Sequence, residues 1–256
     1  MIVSDVLAIL NDIAPFDKAE PWDNSGLLAG SKFNTVTNIL CALDFSKDVL
    51  EEAVRMNANL IVTHHPILFS GRKNLVEDDY EGALLCDLIR KNISLIAVHT
   101  NYDIADGGVS DCLARHLLLK NIRTPECSEE GYVRIGETEC EITLGEFENR
   151  VASYLGDAVR VYGDRNKKIR TVCVCGGSGG EFAKTALKAG ADVFVTGEMR
   201  YHDSFDLMHM GLATIHAGHD ATERIALKPL RDGLQNRIDA VQYNVKVFLS
   251  DMGVEK

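Results

Sequence analysis

Eight short apolar runs, NILCAL, NLIVT, SLIAV, AVRVY, TVCVC, DVFVT, ATIHA and VKVFL, recur along this chain. The intervals between them hold segments of helical periodicity such as SKDVLEEAVRM, EDDYEGALLCDLIR and EFAKTALKAG. The runs predict buried strands and the i, i+3, i+4 segments predict helices. This alternation predicts an α/β protein with largely parallel sheets, because strands covered by helices on both faces read as continuously apolar. Two windows also align without a gap, AVRMNANLIVT at 53 to 63 and ALKAGADVFVT at 186 to 196. Each is a helix end, a small turn and an apolar strand closing on Thr. One reading is chance similarity between two βαβ units. The other, adopted here, is two related α/β lobes, 1–125 and 126–256, linked through NIRTPECSEEG. A ligand crevice is then expected between the lobes, lined by the carboxyl ends of strands.

A chain of 256 residues can bury a substantial core without disulfide or metal staples. Its 46% hydrophobic and 25% charged residues suit a soluble globular protein. No stretch approaches the roughly 18 apolar residues of a membrane span. The start, MIVSDVLAILNDIAP, has no basic residue ahead of its apolar part and carries Asp5, so it reads as an amphipathic helix rather than a signal peptide. A cytoplasmic location is expected. The seven cysteines are scattered with no C-x-x-C pair, which argues against a disulfide framework or a zinc-thiolate cluster. Cys173 and Cys175 share a strand face, either as small buried hydrophobes or as a ligand pair. The net charge of −11, with no dense Lys/Arg segment, argues against a nucleic-acid partner.

Polar residues gather where the apolar runs end. His64 and His65 follow NLIVT, His99 and Asp103 follow SLIAV within HTNYD, and His219 and Glu223 follow ATIHA within GHDATE. Each has a structural explanation of its own. Asp220 with Glu223 resembles a capping-box helix start, Asp103 suits a turn, and His99 suits a satisfied strand end. Three strands that each end in histidine are not expected of scattered histidines, and the set together points to metal binding. Neighbouring side chains of a regular strand face opposite ways, so His64 and His65 converge only where the strand gives way to a loop, as Pro66 suggests. That geometry suits two neighbouring ions, one for each imidazole. His219 lies four residues before Glu223, so one helical turn can present both. Imidazole and carboxylate donors without thiolate suit Zn, Fe, Mn or Co rather than Ca or Mg. A bridging carboxylate would allow a pair of ions roughly 3.5 to 4 Å apart, an arrangement that activates water.

With PWDNSGLLAG, VTHHP, HTNYD, CGGSGG, TGEMRYHD and AGHDATE in order, the sequence resembles the Nif-three-like family over nearly its whole length. Members of that family are commonly named GTP cyclohydrolase 1 type 2 homologues. The resemblance implies a two-lobed α/β fold, a dinuclear divalent-metal centre in the interlobe cleft and a ring-shaped homohexamer. It implies metal ligands at His64, His65, Asp103, His219 and Glu223, with Glu223 bridging, and puts His99 beside that shell, either supporting the ligands or facing substrate. The short central linker corresponds to the compact form, without the domain that longer relatives insert there.

Three further motifs bear on function. PWDNSGLL holds the only Trp beside a polar turn, as packing or as part of a site. CGGSGG lies between a strand and a helix, where its N–H groups could cradle an anion, although it is neither a Walker loop nor a complete G-x-G-x-x-G. TGEMRYHD ends the second lobe's strand at the place equivalent to VTHHP. That aims Glu198 and His202 at the cleft, with Glu198 as general acid/base and a surface-helix start as the rival reading. Arg200, Arg224 and Arg72 with Lys73 are the basic groups near motifs that could hold phosphate. The expectation is a metal-dependent hydrolase acting on a small molecule, a nucleotide-like, phosphoester or C–N substrate. The alternatives are a non-enzymatic metal-binding or regulatory ring and a nucleotide-binding module built on the glycine loop.

Overall fold

A computed structural model describes residues 1–156 and 159–251. The elements run α1 (Val3–Ile13), β1 (Gly26–Ala29), β2 (Asn38–Ala42), α2 (Lys47–Arg55), β3 (Leu60–Thr63), α3 (Tyr80–Arg90), β4 (Ser94–Ala97), α4 (Thr100–Ile104) and α5 (Val109–His116). They continue with β5 (Lys120–Arg123), β6 (Arg134–Thr143), α6 (Leu144–Leu155), β7 (Arg160–Tyr162), β8 (Lys168–Cys175), α7 (Ala183–Lys188) and β9 (Val193–Thr196). The last are α8 (Tyr201–His209), β10 (Ala213–His216), α9 (His219–Arg224), α10 (Leu227–Ala240) and β11 (Lys246–Leu249). All eight apolar runs contain a strand; Ala158 of AVRVY lies outside the described residues. Among the described residues no helix is long and apolar enough to cross a membrane.

The chain forms two compact units, Met1–Ala105 with Leu227–Lys256, and Asp106–Ala226. The first holds a five-stranded sheet in the order β1-β4-β3-β2-β11, the second a six-stranded sheet in the order β5-β6-β8-β9-β10-β7. β2, β3, β4 and β11 run parallel in the first sheet and β8, β9 and β10 in the second, and an antiparallel strand, β1 or β7, closes one edge of each. The order α-β-β-α-β-α-β-α is the same from α1 to α4 as from α6 to α9, so the repeat suggested by the aligned windows extends through both sheets. These units differ from a division at residue 125. β11 pairs parallel with β2 and so returns the C-terminal segment to the first sheet. NIRTPECSEEG, expected as a linker, contains most of β5, which pairs antiparallel with β6 in the second sheet.

The first unit's core packs Leu40, Ile61 and Leu95 of the sheet against Val49, Leu50 and Ala53 of α2 and Leu84 and Leu88 of α3. The second packs Val172, Val174, Val193, Val195 and Ile215 against Leu113 of α5 and Phe147 and Val151 of α6. Helix starts follow from local chemistry. Ser46 accepts from the Val49 N–H at 3.2 Å, and Thr143 with Glu146 forms a reciprocal capping box. Burial of these side chains contributes about 1.5–3 kcal/mol each for Val, Leu, Ile or Phe. The strand ends therefore rest on rigid frames, and the polar residues that follow them inherit fixed positions.

Candidate metal centre

In the first unit the strand ends bring three imidazoles together. β3 stops at Thr63, whose hydroxyl donates to the His65 carbonyl at 2.8 Å. The His64 and His65 N–H groups bond to carbonyls at the end of β2, and that turn lets both rings face one way. Ring centroids lie 4.9 Å apart for His64 and His65, 5.2 Å for His64 and His99, and 5.6 Å for His65 and His99. One ligand atom from each of the three falls within 4.8 Å of the others, a grouping that could hold a metal ion.

The acceptors around the rings set their tautomers. His64 Nδ1 lies 2.8 Å from the Val98 carbonyl oxygen, which can only accept, so Nδ1 carries the proton. His65 Nδ1 meets Asp44 Oδ1 at 2.8 Å, and His99 Nδ1 meets Asp23 Oδ1 at 2.7 Å. With the proton on Nδ1, Nε2 is the nitrogen left to present a lone pair. Histidines that ligate metals are held in this way, with the second nitrogen donating to a carbonyl or carboxylate. The donor set therefore fits a borderline divalent ion. Asp103, one turn into α4, places Oδ1 3.5 Å from His64 Nε2 and adds a hard oxygen donor.

Asp23 explains PWDNSG. Burial raises its pKa, but hydrogen bonds from His99, Thr100 and Ser25 outweigh that and hold the carboxyl well below the usual range. Its Oδ2 takes the Thr100 hydroxyl at 2.6 Å and the Ser25 hydroxyl at 2.8 Å. Trp22, by contrast, is 59% exposed and meets exposed Phe69 at 5.8 Å between centroids, so the packed-aromatic reading is wrong. The sequence reading missed Asp23 and Asp44 as residues that orient imidazoles. Asp44 follows β2 at the same end as the histidines, which was the available signal.

In the second unit α9 puts His219 Nε2 3.2 Å from Glu223 Oε1, while His219 Nδ1 lies 3.5 Å from Glu198 Oε2. The Glu223 side chain is buried. α9 begins at His219 after Gly218, and no side chain caps it. Asp220 instead binds Arg224, which overturns the capping-box reading of Asp220 and Glu223. The glycine loop also has a different role from an open anion cradle. The Gly177 N–H is taken by Thr222 and the Gly179 N–H by Thr196, each at 3.0 Å. Gly177 has φ +60, and a Cβ there would lie 2.1 Å from Glu223 Oε1. Only glycine leaves room for that carboxylate.

Glu198 is exposed beyond the end of β9, and His202 lies exposed on α8 against Tyr201. Cys173 and Cys175 are buried, and burial pushes the Cys173 thiol up to about 12, as suits a structural residue. Of the arginines expected near phosphate, Arg72 pairs with Asp79 and Glu81, and Arg224 with Asp220.

Residues 1–255 match the model of a protein family described as Duf34/NIF3 (NGG1p interacting factor 3). A Clostridium perfringens protein named GTP cyclohydrolase 1 type 2 homolog is 37% identical over 245 residues, 94% of each chain. The crystal structure of a Staphylococcus aureus hypothetical protein superposes with a TM-score of 0.93 at 31% identity, covering 100% of this chain and 98% of that one. A Bacillus cereus protein related to NIF3 gives 0.92 at 25% identity, with the same coverage.

Proposed function

This chain belongs to the Duf34/NIF3 family, and from that premise we propose that it is a cytoplasmic metal-dependent hydrolase holding two divalent ions. His64, His65, Asp103, His219 and Glu223 are the residues that would hold these ions, as the family resemblance supports. The observation that carries the reading is the shared tautomer of His64, His65 and His99, whose Nδ1 atoms are each held by an acceptor. Lewis-acid activation of water is the chemistry that such ions supply when bound.

The protein's own groups handle position and protons. Asp23 fixes the His99 ring and stabilises positive charge on it, so His99 Nε2 is placed to take a proton from an attacking water. Glu198 is proposed as the second proton-transfer group, exchanging a proton between its carboxylate and the leaving atom. The relatives' shared name points to a nucleotide ring as substrate, while phosphoesters and other C–N bonds suit the same chemistry. The family resemblance also supports a homohexamer, which light scattering tests by mass.

Elemental analysis of untreated protein, followed by a panel of GTP, phosphoesters and cyclic amides, tests the proposal. The expected result is about two ions per chain and turnover that a chelator abolishes. Bound ions with no turnover on any panel member would support the non-enzymatic metal-binding reading. Protein that stays free of ions under excess zinc and manganese would end both.

A further inference from the structure

The second unit contains a cavity of about 530 Å³ that plays no part in the ligand set above. Its wall includes Arg160, Arg200, Ser178, Glu198 and His216. Topology brings these residues together from four separate segments. Glu198 and Arg200 follow β9, Ser178 follows β8, and His216 ends β10. Arg160 opens β7, which runs antiparallel to β10, and pairs with His216. All five therefore stand at the carboxyl ends of the parallel strands, where open α/β sheets bind ligands.

The chemistry of the wall favours an anion. Two guanidiniums border one cavity in a chain of net charge −11, and neither has a carboxylate partner among the described residues. Among the described residues of the wall the carboxylate is that of Glu198, and it lies 3.5 Å from His219. His216 borders the cavity as well. Burial, and then the nearby charge of Arg160, hold its pKa below the usual value, and its Nε2 is bonded to the Ser204 hydroxyl at 2.8 Å. Guanidinium forks match tetrahedral oxyanions in two-point geometry, and the Ser178 side chain adds a hydroxyl donor. The volume suits a phosphoryl or diphosphoryl group carrying part of a small molecule.

We propose that this cavity is a phosphoryl-binding subsite in which Arg160 and Arg200 hold the anionic end of a small-molecule ligand. As a substrate subsite it rests on the hydrolase reading; as an anion site it stands alone. Arg160 carries no motif and was invisible in the sequence, because it opens a short antiparallel edge strand.

The test is calorimetric titration of metal-loaded protein with inorganic pyrophosphate, with ion content measured in every sample. The wild type is compared with Arg160→Gln, Arg200→Gln, the double variant and Arg165→Gln, a control at an arginine paired with Glu148. Each cavity variant should bind about tenfold more weakly or worse, and the double variant about 100-fold more weakly, with ion content unchanged. The control should match the wild type. Circular dichroism melts confirm that each variant is folded. Equal affinity in wild type and double variant overturns the proposal, as does binding that disappears in every sample, variants and wild type alike, once ions are chelated. Arginine-dependent binding in protein that takes up no metal would sink the hydrolase reading and leave this subsite standing.

Discussion

The ends of β3 and β9 are built alike and finished differently. Asn57 and Gly190 both occupy the left-handed region, at φ 51 and 76, just past a helix. The N–H of the following alanine returns to the helix in both, Ala58 to the Ala53 carbonyl at 2.8 Å and Ala191 to the Ala186 carbonyl at 3.1 Å. This is the six-to-one bond of a Schellman motif. Both strands then close on a buried threonine, Thr63 or Thr196. Beyond it the first unit places His64 and His65, with protons fixed by Val98 and Asp44, while the second places Gly197 and Glu198. The scaffold is duplicated and the chemistry is not. Three imidazoles gather in one unit, while the other sets His219 between the carboxylates of Glu198 and Glu223.

The largest expected effect comes from giving β3 the ending of β9. The double substitution His64→Gly, His65→Glu should leave the far-UV spectrum unchanged and weaken metal affinity by at least about 100-fold, beyond the 10–100-fold typical of outer-shell changes. Retained affinity in a metal titration would break the contrast drawn between the two ends. Asp23→Asn keeps a side chain of the same size beside His99 but removes the charge. We expect activity to fall roughly 10–100-fold with folding intact, read from kcat.

In the second unit Gly177→Ala should cost about 1–3 kcal/mol, because the added methyl collides with the Glu223 carboxylate. Urea denaturation measures it, and a cost below a few tenths would show that Glu223 moves freely. At the matched turns, Gly190→Asn should be nearly neutral, since Asn57 already fills the equivalent place. Gly190→Val should cost on the order of 1–2 kcal/mol.

The smallest effect concerns thiols. Burial pushes Cys41 up to about 12 despite the opposing charge of Arg231, and Cys173 likewise to about 12. Their ordinary value is 9.0, so the unfolded chain releases these protons first as pH rises. The stability they contribute is full below about pH 9 and is lost as pH climbs toward 12. Iodoacetamide at pH 8 should modify exposed Cys127 and Cys140 well before either buried thiol, by mass spectrometry of peptides.

Much of this contrast was legible in the sequence. Strands covered on both faces announce themselves as apolar runs, and histidines placed after them stand out against that background. β6, with Glu137, Glu139 and Glu141 within it, has an exposed second half and so lacks the apolar signal. β5 is mostly exposed, and its segment resembled a linker for the same reason. The return of β11 to the first sheet is a pairing across some 200 residues, which no local period encodes. Asp23 and Asp44 escaped notice because a single aspartate in a turn reads as a turn former. Their roles depend on which ring each side chain meets in the fold.

Anomalous diffraction from crystals of untreated protein, collected on both sides of the metal's absorption edge, addresses the tautomer argument most directly. The account predicts ions about 2.0–2.1 Å from the Nε2 atoms of His64 and His65, with both Nδ1 atoms still bonded to Val98 and Asp44. Ions bound through Nδ1, or anomalous peaks remote from both rings, would contradict it.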